Sequence, residues 1–204
     1  MTKSENHLGE QLKQRIIEEG VRSPGGFKGA TKQEIEEAMK YQGVKRLPKA
    51  FLQFLETMGN GGLNFFYYGD WLCEDFADLK ECAIEDMARY DLTLPEDAFV
   101  FFTELNHMYR YFLTDNEDDD PPVYQFFEGD DEKTRQLTGS LTEYFDEVMK
   151  YFVFIRDKTR EEKLERKKRR KAQIHPQPPA QNSISKMFNA IWEFLTAWLF
   201  GKKQ

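Results

Sequence analysis

LPEDAFVFFTELNHMYRYFLTDNEDDDPPVYQFF, residues 94–127, is the stretch that decides the fold class. Leu94-Pro95-Glu96-Asp97 is a turn that opens Ala98-Phe99-Val100-Phe101-Phe102; Met108 to Leu113 and Val123 to Phe127 follow as two more aromatic runs of strand length. Aromatic and branched side chains fill a pleated, half-buried surface, so each run predicts a strand. Asp115 to Pro122, between the last two, is polar and stopped by prolines, and predicts a loop. The chain turns helical on both sides of this region. The order helices, strands, helix predicts an α+β fold rather than alternating α/β.

Upstream, Leu8, Leu12 and Ile16 stand four apart in a charged segment and predict a short amphipathic helix ending at Gly20. After the breaker Ser23-Pro24-Gly25-Gly26, Thr31 and Glu34 have the spacing of a capping box, in which each side chain satisfies an orphan backbone donor of the other. The helix they open carries Ile35, Ala38 and Met39 on one face and stops at Gly43. Leu47-Pro48 restarts a helix with Phe51, Leu52, Phe54, Leu55 and Met58 inward, ending at Gly59-Asn60-Gly61-Gly62 before an aromatic strand, Phe65 to Tyr68. A further helix, roughly Glu74 to Tyr90, steps through Phe76, Leu79, Ala83 and Met87 and is acidic on its other side. Downstream, Ser140 and Glu143 form a second capping box, opening a helix with Leu141, Tyr144, Phe145, Val148, Met149 and Phe152 inward.

The net charge of -7 conceals a split. Up to Asp157 there are 17 Lys+Arg against 32 Asp+Glu, and from Lys158 onward 12 against 4. An acidic body therefore carries a basic tail, and such asymmetry assigns the two parts different jobs. Arg156 to Lys171 predicts a solvated helix, His175-Pro176-Gln177-Pro178-Pro179 a linker, and Ser183 to Phe200 an amphipathic helix. The expected organisation is an N-terminal helical arm over residues 1–26, a domain over 27–155, a basic helix and Pro-rich linker over 156–182, and a C-terminal amphipathic helix over 183–204.

Cys73 and Cys82, nine positions apart, match neither a disulfide framework nor the paired spacing of structural zinc. The opening residues have no apolar run behind their charges and no stretch reaches about 20 apolar residues, so the expected compartment is the cytoplasm, with peripheral membrane contact through the tail. His7, His107 and His175 have no partner at the spacing of a zinc helix. Gly26 to Lys32 lacks the Gly-Lys-Ser/Thr ending of a phosphate loop. Asp115, Glu117 and Asp119 begin like a calcium loop, but Asp120 stands where glycine is needed and Phe126 where a bidentate Glu belongs. No catalytic residue, cofactor or metal is expected.

A helix before Leu47-Pro48, the run Ala50 to Leu55 leading to Asn60-Gly61-Gly62, Leu94 to Asp97 with Val100-Phe101-Phe102, then Tyr111-Phe112-Leu113, Pro122-Val123-Tyr124 and Ser140-Leu141 with Tyr144-Phe145 together resemble the SUKH superfamily. That superfamily includes the yeast Smi/Knr cell-wall-assembly regulators and many bacterial immunity proteins. The resemblance covers about Phe27 to Phe152. It implies a central, largely antiparallel sheet packed by helices and a non-catalytic protein-binding role, commonly the neutralising of a polymorphic toxin. The other role it implies is a regulatory adaptor in cell-envelope or signalling assembly, tethered here by the C-terminal helix.

Two sets of residues are candidates for contact with partners. Glu117, Asp118, Asp119 and Asp120, joined by Glu128, Asp130, Asp131 and Glu132, either keep loops solvated or present a docking face to a toxin with a basic active-site cleft. Tyr67, Tyr68, Trp71 or Tyr109 would serve as anchors if exposed, since buried aromatics dominate interface energies. In the tail, Arg166, Lys167, Lys168, Arg169, Arg170 and Lys171 with Trp192 and Trp198 suit an anionic membrane surface. The alternative is that the last helix packs its apolar face on the domain or on a second copy. Nucleic acid is not expected as a partner, because no stacking aromatics are interleaved with the basic run.

Overall fold

The computed structural model describes residues 7–21, 24–60, 76–104 and 107–174. The chain divides into two compact units, Met1–Arg156 and Asp157–Gln204. In the first unit, helices α1 (Leu8–Glu18), α2 (Lys32–Gln42), α3 (Lys49–Met58) and α4 (Phe76–Ala88) precede strands β1 (Ala98–Glu104), β2 (Met108–Leu113), β3 (Val123–Phe127) and β4 (Thr134–Thr138). Helix α5 (Leu141–Ile174) begins in this unit and runs into the second. The expected strand Phe65 to Tyr68 lies outside the described residues.

The strands form an antiparallel sheet in the order β1-β2-β3-β4, and the fold is α+β as expected. Strand β4, sequence TRQLT, escapes a reading of the sequence because it is a polar edge strand with little alternation to detect. The sheet buries both faces. Phe99, Phe101 and Phe112 join α1, α2, α3 and the first turns of α5 in the larger core, while Ala98, Val100, Tyr109, Tyr111 and Phe126 meet Ala83 and Met87 of α4 in a second. A bulge between Val100 and Phe102 shifts the register of β1 against β2. Phe101 and its neighbour Phe102 both reach the larger core as a result.

Helix α1 is part of this core, although its thin apolar stripe reads as an arm. Leu12 and Ile16 are buried in the larger cluster, and the Leu8 amide donates to Gln53 Oε1 of α3 at 2.8 Å. The backbones approach so closely that a Cβ at Gly9 would lie 2.1 Å from the Gln53 carbonyl oxygen. A short stripe suffices when the missing side chain lets the helices touch.

Local signals act where they stand. Thr31 and Glu34 form both arms of the capping box, and Gly43 ends α2 in the left-handed region at φ 68°. The hydrogen bonds from Thr31 hold the Glu34 carboxyl below its ordinary pKa. Pro48 sits at the N-cap of α3, one place before the first turn. The second box is displaced: Ser140 Oγ accepts from the Glu143 amide at 3.1 Å, but Glu143 Oε2 accepts from the Gly139 amide at 2.7 Å.

One buried amide ties the layers together. Gln42, the last residue of α2, is 0% exposed. Its Nε2 donates to the carbonyls of Phe76 and Val100 at 2.5 and 3.0 Å, and its Oε1 accepts from the Val100 amide at 2.9 Å. A side chain thus completes the pairing of a strand residue as a neighbouring strand would. Lys80 of α4 donates to the Gln42 and Glu96 carbonyls at 2.6 and 2.7 Å, and burial pushes its pKa down.

Candidate partner-binding site

The two acidic loops that are neighbours in sequence lie at opposite ends of the sheet. Residues 114–122 connect β2 to β3 and residues 128–133 connect β3 to β4, so strand β3 separates them. Five residues at about 3.3 Å each put roughly 13 Å between its ends. That exceeds the ~8 Å Debye length at physiological ionic strength, so the loops act as separate charges.

The first loop is built into the fold. Asp120 Oδ1 accepts from the Thr142 amide at 2.8 Å in the first turn of α5, where a carboxylate satisfies a free donor and complements the helix dipole. Asp119 pairs with Arg46 at 2.9 Å, and its carbonyl accepts from the Ala50 amide at the start of α3. Asp118 Oδ1 accepts from the Asp120 amide at 2.9 Å, and Glu117 adopts a positive φ of 54°. Asp118, Asp119 and Asp120 therefore shape a clamp between α3 and α5. Asp119 remains 65% exposed at its side chain, so clamp and surface are not exclusive.

The second loop is continuous with α4. Asp78, Glu81 and Glu85 are exposed on that helix, and Asp86 is half-buried. Burial raises the pKa of the Cys82 thiol first, and the charges of Glu85, Asp86, Asp78 and Glu81 raise it further. Tyr90, just past α4, hydrogen-bonds Glu128 and lies under the Lys133 ammonium, 5.0 Å from the ring centroid. Glu128 also meets His107 Nδ1 at 2.5 Å, and the bonds from Tyr90 and His107 hold its carboxyl below the ordinary value. Lys133 donates to the Glu128 and Asp130 carbonyls at 2.7 and 2.8 Å and fixes the turn, while Asp131 and Glu132 remain exposed. The end of α4 and the β3–β4 turn are thus joined through Tyr90, Glu128 and Lys133.

Tyr109 is not an exposed anchor. It is 0% exposed, and its hydroxyl donates to Asp86 Oδ2 at 2.5 Å. Its place in β2 points it at α4, and burial followed by the Asp86 bond pushes its pKa well above the usual phenol range. Tyr67, Tyr68 and Trp71 lie outside the described residues.

A groove of about 680 Å³ opens between α5 and the sheet, near the end where β1 passes to β2. Phe102, Leu137 and Val148 give it apolar walls; Glu104, Glu143, Glu147 and Tyr151 also line it. Arg110 of β2 lies within it. Its guanidinium carbon is 4.6 Å from the Phe102 ring centroid and 5.4 Å from that of Tyr144, and Nη1 donates to the Tyr144 hydroxyl at 2.8 Å. The guanidinium is held by two ring faces and by hydrogen bonds to the Tyr144 hydroxyl and, at 3.6 Å, to Met108 Sδ, while its Nε has no partner among the described residues. Burial raises the Tyr144 pKa, and Arg110 opposes that rise. The sequence reading missed these residues; the signal was an arginine at the inward position of a strand, between Tyr109 and Tyr111, which face the other way.

In the second unit, Asp157 to Arg170 of α5 are exposed, and Arg166, Lys167, Lys168, Arg169 and Arg170 follow one another there. Lys171 belongs to the same helix. Trp192, Trp198 and residues 183–200 lie outside the described residues. Among the described residues no helix is long and apolar enough to cross a membrane, and no three His, Cys, Asp or Glu side chains are grouped to hold a metal ion.

Comparison with known proteins gives one family. The family model SUKH_6, described as SMI1-KNR4 cell-wall, matches residues 32–145, from α2 through the first turn of α5. No curated protein and no solved structure matches the chain. The match spans α2, α3, α4, the whole sheet and the acidic turns, and domains of this family are generally non-catalytic. The chain belongs to the SMI1-KNR4 (SUKH) family.

Proposed function

We propose that this domain is a non-enzymatic binding module of the immunity type, which neutralises a basic protein toxin by direct occlusion. One observation carries the reading: in a family domain, exposed carboxylates stand on α4, at Glu81 and Glu85, and on the β3–β4 turn that Tyr90 ties to the end of that helix, at Asp131 and Glu132. Proteins that act on nucleic acid carry basic clefts, and opposite charge accelerates encounter and rejects wrong partners. In the groove, Glu143 is taken up by the Gly139 amide, while Glu147 has only an exposed pair with Lys150 at 2.6 Å, which a cationic group of a partner can replace.

Charge reversal tests it. With Glu81, Glu85, Asp131 and Glu132 all changed to lysine, association with the inactivated product of an adjacent toxin-type reading frame should slow about tenfold or more at low salt, with a flatter salt dependence. Stopped-flow rates unchanged across ionic strength would reduce the acidic surface to a solubility device.

The exposed basic stretch of α5 favours a second reading, a Smi/Knr-like adaptor held at an anionic membrane by its tail. Lys and Arg near such a surface contribute about 1 kcal/mol each. Deleting Asp157–Gln204, which removes both the basic stretch and the final segment, should abolish sedimentation with phosphatidylserine-containing vesicles while the circular dichroism of the remaining domain persists. Equal sedimentation of both chains would remove the membrane role.

A further inference from the structure

We infer that the groove between α5 and the sheet is the anchor pocket for a lysine or arginine side chain of the basic partner, an inference that rests on the reading of this domain as a binder of a basic protein. Charge selects the occupant. Glu104, Glu143 and Glu147 face one guanidinium, that of Arg110, so the lining is net negative and disfavours an anion. The volume of about 680 Å³ leaves room for a long side chain together with its flanking backbone.

The walls fit the shape of a long basic side chain. Its methylene stem would lie along Phe102, Leu137 and Val148 while its charged head stays among the carboxylates, the arrangement such side chains adopt at apolar surfaces. Arg110 sets the depth. Clamped between Phe102 and Tyr144, it is a fixed like charge that turns the incoming head toward Glu104 and Glu147. The Glu104 carbonyl accepts from the His107 amide at 3.1 Å at the end of β1, and its carboxylate lines the groove. Glu147 is held only by Lys150, in an exposed i,i+3 pair worth little, which a cation inside the groove can replace. Tyr151, 56% exposed, provides a ring at the lip for the partner's backbone or a neighbouring side chain.

Steering and anchoring are therefore on different surfaces, which makes the inference separable from the function it refines. The full chain, carbon-13-labelled at leucine and valine methyls, would be titrated with a capped Ser-Gly-Arg-Gly-Ser peptide and with the same peptide carrying citrulline. The arginine peptide should shift the Leu137 and Val148 methyls and citrulline should not, because it keeps the shape and loses the charge. Glu104→Gln with Glu147→Gln should weaken those shifts about tenfold. Glu147→Lys, which places a lysine at the lip, should block them independently. The variant reversed at Glu81, Glu85, Asp131 and Glu132 should keep them. Absence of shifts at Leu137 and Val148, equal shifts with citrulline, or equal shifts in the Gln variant would each overturn the pocket, and would leave the acidic surface to be judged by its own association rates.

Discussion

Replacing Gln42 with leucine is expected to cost the domain about 3–5 kcal/mol, although leucine is apolar, similar in size and a good helix former. Gln42 is completely buried and its amide serves three backbone groups: the Phe76 carbonyl, the Val100 carbonyl and the Val100 amide. Leucine removes the partner of both Val100 groups in a place that water does not reach, while the Phe76 carbonyl keeps its bond within α4. Each unsatisfied group costs about 1–3 kcal/mol, and the apolar gain of the new side chain offsets only part of the sum. Gln42→Glu should be no better. It keeps the acceptor for the Val100 amide, but it turns the donor that faces two carbonyls into a carboxylate oxygen in a buried site. Urea unfolding followed by far-ultraviolet circular dichroism measures both variants. A loss under about 1 kcal/mol for the leucine variant would mean that Val100 finds another partner.

Phe51→Ala is expected to cost about 3–5 kcal/mol, for a reason unrelated to polarity. Phe51 of α3 is 0% exposed at the centre of the larger core. Its ring centroid lies 5.0 Å from Phe112, 5.4 Å from Phe99, 5.5 Å from Phe101 and 5.8 Å from Phe54. Alanine removes the transfer energy of a whole ring and leaves a hole that rigid neighbours, themselves locked on two strands, cannot collapse to fill. Phe51→Leu should recover much of the loss, leaving about 1–2 kcal/mol, because it keeps most of the volume. Denaturant midpoints at unchanged slope would report this directly. If alanine and leucine cost the same, the lost contribution would be the ring-to-ring geometry rather than the filled volume.

The acidic residues show how far a linear reading carries. Their number and the net charge of the first 157 residues were plain, and fit either solvated loops or a docking face for a basic partner. Their grouping was not. Residues 115–120 and 128–132 look like one cluster in sequence, yet antiparallel pairing sends them to opposite ends of β3. The end of the helix that carries Glu81 and Glu85 gains the β3–β4 turn as a neighbour, through Tyr90 with Glu128 and Lys133. Asp120 looks like one more loop carboxylate until Thr142 arrives beneath it.

Features that depend on residues three or four apart were legible in the amino-acid order: the Thr31–Glu34 capping box, the stop at Gly43, the inward faces of α3, α4 and α5, and three of the four strands. Backbone sterics and solvent act on such short stretches before any distant segment arrives, so local order is sufficient information. The Gln42 bridge to Val100, the α1–α3 contact through Gly9, the burial of Tyr109 and the groove around Arg110 were decided by tertiary structure alone. Each joins groups from separate elements, and what a glutamine, a glycine or an arginine does is set by which backbone or ring the fold carries to within a few ångströms of it.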